Sequence, residues 1–295
     1  MARIDYPPLR RRWHTAAMDL RARLLLDPSN IEAAVNDDTT RDTPGVKSRK
    51  KAEKQLFLMA GKLADLQEML YAEGRGGGKR RLIVLLQGTD ASGKDGSVKH
   101  VIGLVNPAGV RITSFGKPTK EELRHDFLWR IQRAVPPPGY IGVFNRSQYE
   151  DVLIVRVHDL VPAEQWEQRY ELINAWEAKQ VAAGVTFLKV FLHISYEEQR
   201  ERLLARLNDP RKYWKVNPGD LDERALWPAY REAYAEMLRR CSTDVAPWYV
   251  LPADRKWYRN WALSRLLLET FEAMDPQLPE RPELDIPGMR AALGG

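Results

Sequence analysis

The chain is nearly without cysteine. Its one thiol, Cys241, cannot form an internal disulfide. This excludes the disulfide-stapled secreted scaffolds and fits a reducing cytoplasm. Histidine is also scarce: His14, His100, His125, His158 and His193 show no metal-ligand spacing, which excludes a zinc site. No apolar run reaches transmembrane length, and Met1-Ala2-Arg3-Ile4-Asp5 does not open a signal-peptide pattern, so neither a membrane nor export is expected. Internal repeats are missing, and the sole low-complexity feature is a glycine run at 74–78. What is present is apolar content of 44% in 295 residues, enough for one large α/β domain with additions. The net charge of +6 suits a polyanionic partner without choosing one. No recognisable nucleic-acid-binding motif accompanies it, so a nucleic-acid partner is not expected.

Residues 1–45 read as an extended arm with one short helix, broken by Pro7-Pro8, Asp27-Pro28 and a polar run at 36–42. Its Arg10-Arg11-Arg12 reads as a solvated basic patch. From 48 to 71, Leu56, Met59, Leu63, Leu66 and Leu70 recur at spacings of three and four, the single apolar face of a helix expected to pack on the domain, with a dimer contact as the alternative. Beyond the glycines, continuous apolar runs predict strands at 82–86, 110–115, 140–144, 186–194 and 248–251. Helical patterns lie at 94–105, 120–133, 150–158, 164–182 and 256–273. This alternation predicts an α/β fold, with a parallel sheet of about five strands covered by helices on both faces. The stretch 196–240 is long for one crossover and rich in Arg200, Arg202, Arg206, Arg211, Lys212 and Lys215. Arg202 and Arg206, four apart, share a helical face, and Asp209-Pro210 ends that helix. A basic insertion at this place is expected to form a lid.

The most informative segment is Gly88-Thr89-Asp90-Ala91-Ser92-Gly93-Lys94-Asp95-Gly96. It follows a predicted strand and precedes a predicted helix, the order of a phosphate-binding P-loop. Its glycines let backbone N–H groups converge on phosphate oxygens, and Lys94 supplies a mobile positive charge. The residue after the lysine is ordinarily Ser or Thr; here it is Asp95, and Asp90 adds a second acid inside the loop. Two carboxylates in a polyanion site demand divalent cations, so the loop predicts metal-dependent phosphoryl transfer.

Two further constellations join it. Phe144-Asn145-Arg146-Ser147-Gln148-Tyr149-Glu150-Asp151 begins at the carboxyl end of a predicted strand, where open α/β sheets bind ligands. Asp151 is placed to reach a metal and Arg146 to take two phosphate oxygens in its planar fork. In 114–130, Thr119 and Glu122 read as a capping box. Lys117 and Arg130 line a phosphate path, and Phe115 supports a base. Phe127, Leu128 and Trp129 belong to the core, and His125 is structural.

Taken together, the glycine loop, His125-Asp126-Phe127-Leu128-Trp129-Arg130, Phe144-Asn145-Arg146-Ser147-Gln148-Tyr149-Glu150-Asp151-Val152-Leu153 and Asp209-Pro210-Arg211-Lys212-Tyr213-Trp214-Lys215 resemble the polyphosphate kinase 2 family over about 50–275. The resemblance implies a P-loop three-layer α/β/α sandwich at 46–275, with a helical lid at about 196–240, between an arm (1–45) and a tail (276–295). It implies reversible phosphoryl transfer between inorganic polyphosphate and AMP or ADP, with magnesium or manganese, in a cytoplasmic homo-oligomer, a dimer or a tetramer. Asp90 and Asp151 become metal ligands, Lys94 and Arg146 hold the migrating phosphoryl, and Asp95 is a supporting acid. The loop positions Gly88, Ala91, Ser92, Gly93 and Gly96, with Lys117, Arg130 and Asn145, contact phosphate and nucleotide. Arg202, Arg206, Lys212 and Lys215 engage polyphosphate from the lid, and Gln148 has no role. The rivals are an ATP-dependent P-loop kinase of nucleotides or small metabolites, and a nucleotide- or nucleic-acid-binding module without catalysis.

Overall fold

Strand β1 (Arg81–Gln87) reads RLIVLLQ, and all but its first residue are buried. A run with no polar side needs cover on both faces and a strand on both edges. Its neighbours are β3 (Ile141–Asn145) and β4 (Val185–His193), both parallel. With β2 (Val110–Ser114) outside β3 and β5 (Trp248–Pro252) outside β4, the order is β2-β3-β1-β4-β5. All pairings are parallel, so the carboxyl ends of the strands open on one edge. The structure is a computed structural model describing residues 19–294; Pro7-Pro8, Arg10-Arg11-Arg12 and His14 lie outside the described residues.

Helices α1 (Leu20–Leu24), α2 (Ile31–Val35) and α3 (Arg49–Arg75) precede the sheet. Helix α4 (Lys94–His100) follows β1, α5 (Trp129–Ala134) follows β2, and α6 (Ile154–Val157) and α7 (Ala163–Ala182) follow β3. Helices α8 (Tyr196–Leu207), α9 (Asp220–Ala225) and α10 (Trp227–Cys241) follow β4; α11 (Lys256–Met274) and α12 (Ile286–Ala292) follow β5. Alternate side chains of β1 point to opposite faces. Leu82, Val84 and Leu86 pack with α3 and α11. Ile83 and Leu85 pack with α7 and α10. This is the expected three-layer sandwich, and the five strands fall within a residue or two of their predicted limits.

The helices depart more from expectation. The one expected at 94–105 ends at His100 and gives way to a 3-10 turn, Ile102–Leu104. The capping box forms, with Thr119 N donating to Glu122 (2.7 Å) and Glu122 N to Thr119 Oγ1 (3.2 Å). It opens only a 3-10 turn, Glu122–Arg124, because His125 is extended and breaks the chain before α5. The helix expected at 150–158 is a 3-10 turn, Gln148–Asp151, followed by α6. Nor is the described part of the arm extended. Leu20 and Leu24 enter the α11 side of the core, Leu26, Ile31 and Val35 the other, and Leu26 N donates to Trp248 O (2.9 Å). Within the expected lid, α10 is a core helix: Ala233, Met237, Leu238 and Cys241 are fully buried.

A buried ion pair ties the layers beneath the site. Lys189, in the middle of apolar β4, is 0% exposed and donates to Glu177 of α7 (2.7 Å), Tyr149 Oη (2.9 Å) and Cys241 O (2.7 Å). Glu177 also accepts from Tyr149 Oη (2.7 Å) and Gln148 Nε2 (2.9 Å). Gln148, left without a role by sequence, therefore anchors the turn that carries Glu150 and Asp151. Removing one charge strands the other in the core. Lys189→Met should cost about 3–5 kcal/mol in denaturant unfolding, and the paired replacement of Lys189 and Glu177 by apolar residues should recover most of it. A loss below about 1 kcal/mol for the single variant would contradict this role for the pair.

Candidate active site

The loop after β1 is shaped by two glycines that no other residue could replace without strain. Gly88 has φ +149°, and a Cβ there would sit 2.6 Å from Leu192 O. Gly93 has φ +105° and ends the loop, and a Cβ there would collide with the guanidinium of Arg259. Between them Ala91 also takes a positive φ, 64°. Lys94 opens α4, but its side chain folds back over the loop, donating to Gly88 O (2.6 Å) and Thr89 O (3.2 Å). Burial lowers its pKa, and Asp90 opposes that shift. The ammonium is thus held at the loop and stays a mobile donor for an incoming phosphate.

Opposite the loop, β3 ends in Asn145-Arg146. The register pairs Leu86 with Asn145, so the two loops leave the sheet side by side. Asn145 Nδ2 donates to Asp95 (2.8 Å). Arg146 has φ 65° and turns its fork between two acids, Asp90 (2.8 Å) and Glu150 (3.3 Å). Burial disfavours its charge, but Glu150 and Asp90 outweigh burial and raise its pKa. Gln87 Nε2 donates to Glu150 (3.2 Å) and to Ser147 Oγ (3.2 Å), fixing the turn from below.

The structure places Asp151 elsewhere than beside Asp90. It lies between Arg130 (3.3 Å) and Arg169 (3.4 Å), and Arg169 also donates to its main-chain oxygen (2.9 Å). Burial raises its pKa against the pull of both arginines. Arg130 donates to Gly116 O (2.8 Å) and lies 5.8 Å over the Phe115 ring. A cavity of about 460 Å³ opens here, lined by Ser114, Phe115, Lys117, Glu122, Arg130 and Arg133. Lys117, Arg130 and Phe115 are thus brought together at the carboxyl end of β2. His125 stacks on Trp129 at 4.1 Å, and Phe127 and Leu128 pack partly buried against the core.

Arg202 departs most from its sequence reading. It is buried, and its Nη atoms donate to Ala91 O (2.9 Å), Ser92 O (2.9 Å), Ala253 O (2.6 Å) and Asp254 O (2.9 Å), while its Nε pairs with Glu198 (2.8 Å). One turn earlier, Gln199 Nε2 donates to Asp90 O (3.1 Å). Arg202 is therefore a clamp on the back of the loop, with no donor left for a ligand. The other expected lid cations stand apart from the loop. Arg206 contacts Lys215 O (3.4 Å) and Asp220 (3.6 Å), Lys212 pairs with Asp209 (3.0 Å), and Lys215 lies 4.7 Å over Trp214.

Sequence reasoning gave no role to Glu150, Gln87, Arg169, Gln199 or Arg259. A signal existed for Glu150, four residues after Arg146, and for Gln199, three before Arg202; none marked the others. Among the described residues no group of three or more His, Cys, Asp or Glu could hold a metal. The acids at the loop mouth are Asp90 and Glu150, both already on Arg146, and Asp95, bonded to Asn145. That donor set fits magnesium, which keeps water and substrate phosphate oxygens and needs only one or two protein carboxylates.

A family profile described as polyphosphate kinase 2 matches residues 46–279. The AMP/ADP-polyphosphate phosphotransferase of Meiothermus ruber is 48% identical over 244 residues, covering 83% of this chain and 89% of the relative. The ADP-polyphosphate phosphotransferase of Rhodopseudomonas palustris is 40% identical over 253 residues, covering 82% and 86%. The crystal structure of polyphosphate kinase 2 from Arthrobacter aurescens TC1 superposes with a TM-score of 0.89 at 43% identity, covering 93% of this chain and 96% of that one.

The clamp and lid roles for Arg202 separate kinetically. Arg202→Ala should misplace the loop and lower kcat by about 100-fold, with the KM for the phosphoryl donor little changed. A rise in that KM at unchanged kcat would return Arg202 to the lid.

Proposed function

The chain belongs to the polyphosphate kinase 2 family of polyphosphate:nucleotide phosphotransferases, and we propose that it phosphorylates both AMP and ADP at the expense of inorganic polyphosphate. The reaction is reversible in this reading. One observation carries the site assignment: Arg146 lies between Asp90 and Glu150, across from Lys94 folded over the loop. Donor and acceptor are both anions that must approach in line, and the transition state is loose and metaphosphate-like. Its cost is electrostatic, so charge placement does the catalysis and no nucleophile is required.

In this assignment the loop amides of Gly88, Ala91, Ser92, Gly93 and Gly96, with Lys94, hold the migrating phosphoryl, and Arg146 takes its equatorial oxygens. Asp90 orients the acceptor oxygen. Asp95, bonded to Asn145, holds the two loops in register. The acceptor nucleotide fits the cavity at the end of β2, within the size range of ligand pockets. There Lys117, Arg130 and Arg133 meet its phosphates and Phe115 supports its base. Arg206, Lys212 and Lys215 reach polyphosphate from the exposed face of the lid.

Magnesium, or manganese in its place, would be held by Asp90 with phosphate oxygens, and when bound it screens the repulsion between the two anions. Asp151 joins that set when Arg130 or Arg169 turns from it to a phosphate. A cytoplasmic homo-oligomer acting without nucleic acid completes the proposal. The location in a reducing cytoplasm is supported by the single, buried thiol.

With polyphosphate and magnesium as sole additions, AMP should yield ADP and ATP, and ADP should yield ATP. Product from ADP alone would overturn the dual-acceptor reading, and product from neither would overturn the activity. Lys94→Ala and Asp90→Asn, folded by circular dichroism, should each lower kcat by about 100-fold or more. Near-wild-type turnover in either would remove that residue from the site.

A further inference from the structure

Helix α10 carries two tyrosines one turn apart, Tyr230 and Tyr234, on one face. Tyr230 Oη donates to Glu223 of α9 (2.7 Å). On the same side of the sheet, Tyr149 Oη donates to Glu177 (2.7 Å). Tyr234 is only 4% exposed, yet among the described residues its hydroxyl makes no hydrogen bond. A buried hydroxyl without a partner destabilises the fold that holds it, and a phenylalanine would fill the same space without that penalty. Tyr170 Oη is also unpartnered, but the groups that act on it are Arg156, Cys241 and Glu236, none of them in the site.

The ring of Tyr234 fixes where its hydroxyl stands. It packs on Phe191 of β4, with ring centroids 4.8 Å apart. In the register of β1 with β4, Phe191 is the partner of Gln87. Paired residues of neighbouring strands point to the same face, and Gln87 donates to Glu150 and Ser147. Tyr234 therefore lies beside the turn that carries Glu150. The charges acting on its hydroxyl agree with that place: they are Glu150, Arg146 and Asp90. Arg146 in turn is acted on by Tyr234 and Tyr230. Burial first, then Glu150 and Asp90, push the Tyr234 pKa well up against the pull of Arg146, so the hydroxyl keeps its proton.

A buried O–H needs an acceptor. The carboxylates of Asp90 and Glu150 are already engaged by Arg146. An anion seated between Lys94 and Arg146 would bring free oxygens to this wall. Those two side chains already supply positive charge. A third cation packed on Phe191 would be desolvated without an acid of its own, whereas a neutral O–H adds direction without a buried charge.

We propose that Tyr234 is a further catalytic residue, its hydroxyl donating a hydrogen bond to an oxygen of the migrating phosphoryl beside Arg146. No proton is transferred, so the tyrosine is neither acid nor base. The assignment rests on polyphosphate-dependent transfer at this site.

Tyr234→Phe keeps the ring on Phe191 and removes only the oxygen. Its melting temperature should equal or exceed that of the wild type, because no hydrogen bond is lost. Its kcat for transfer from polyphosphate to ADP should fall by about 10- to 100-fold, the worth of one hydrogen bond to an anion, with both KM values little changed. Tyr170→Phe, the same deletion away from the loop, should transfer at the wild-type rate. Equal rates for Tyr234→Phe and the wild type would overturn the assignment and leave the activity in place. So would a lowered melting temperature, which would make the hydroxyl structural. A raised KM at unchanged kcat would also overturn it, since the contact would then be with bound substrate and not with the migrating group. No transfer by the wild type would overturn the activity, and this assignment with it.

Discussion

Arg146 joins the loop after β1 to the turn after β3, and the rest of the site is arranged around that one guanidinium. It reaches Asp90 on one side and Glu150 on the other. Parallel pairing of β1 with β3 sets the two loops side by side, and the left-handed φ of Arg146 aims its side chain across the gap. Beneath it, Gln87 and the Lys189–Glu177–Tyr149 network hold the turn. Behind the loop, Arg202 grips the carbonyls of Ala91 and Ser92. Each contact fixes backbone, and the backbone is what must be ready before two polyanions meet. Preorganised charge does most when it need not move during the reaction.

The stretch after β4 divides into a fixed half and an exposed half. Gln199 and Arg202, on the inner face of α8, are bound to the loop. Arg206 contacts Lys215 and Asp220, Lys212 contacts Asp209, and Lys215 contacts Trp214, all residues of their own stretch. Helix α8 thus forms the wall behind the loop, and the cations beyond Arg202 are held by neighbours in their own stretch. The positive charge of Arg259, whose pKa burial lowers to about 10, adds to the field on the loop from α11.

How much of this was legible depended on where each signal resides. The central strand was readable because a buried parallel strand must be a continuous apolar run, as β1 is, whereas the edge strand β2 reads VRITS and is largely exposed. The loop was readable because Gly88 and Gly93 are needed for backbone angles that the motif itself encodes. Helix ends were not, since 3-10 turns such as Gln148–Asp151 share composition with α-helix. The same turn hid which acid faces Arg146. With three residues per turn, neighbouring side chains diverge by about a third of a circle, so Glu150 and Asp151 face different partners. Arg202 was misread because its partners are main-chain carbonyls 51 to 111 residues away in sequence, and carbonyls carry no residue signature. Lys189 was visible all along as a charge in the middle of an apolar strand, and a buried partner was its physical requirement.

The claim that one guanidinium both bridges two acids and meets the transferred phosphoryl is tested most directly at that residue. Arg146→Lys keeps the charge but not the planar fork. Single-turnover transfer from polyphosphate to ADP should slow by about 100-fold while polyphosphate saturation stays near that of the wild type. A single-turnover rate close to wild type would show that any cation suffices there, and would contradict the account.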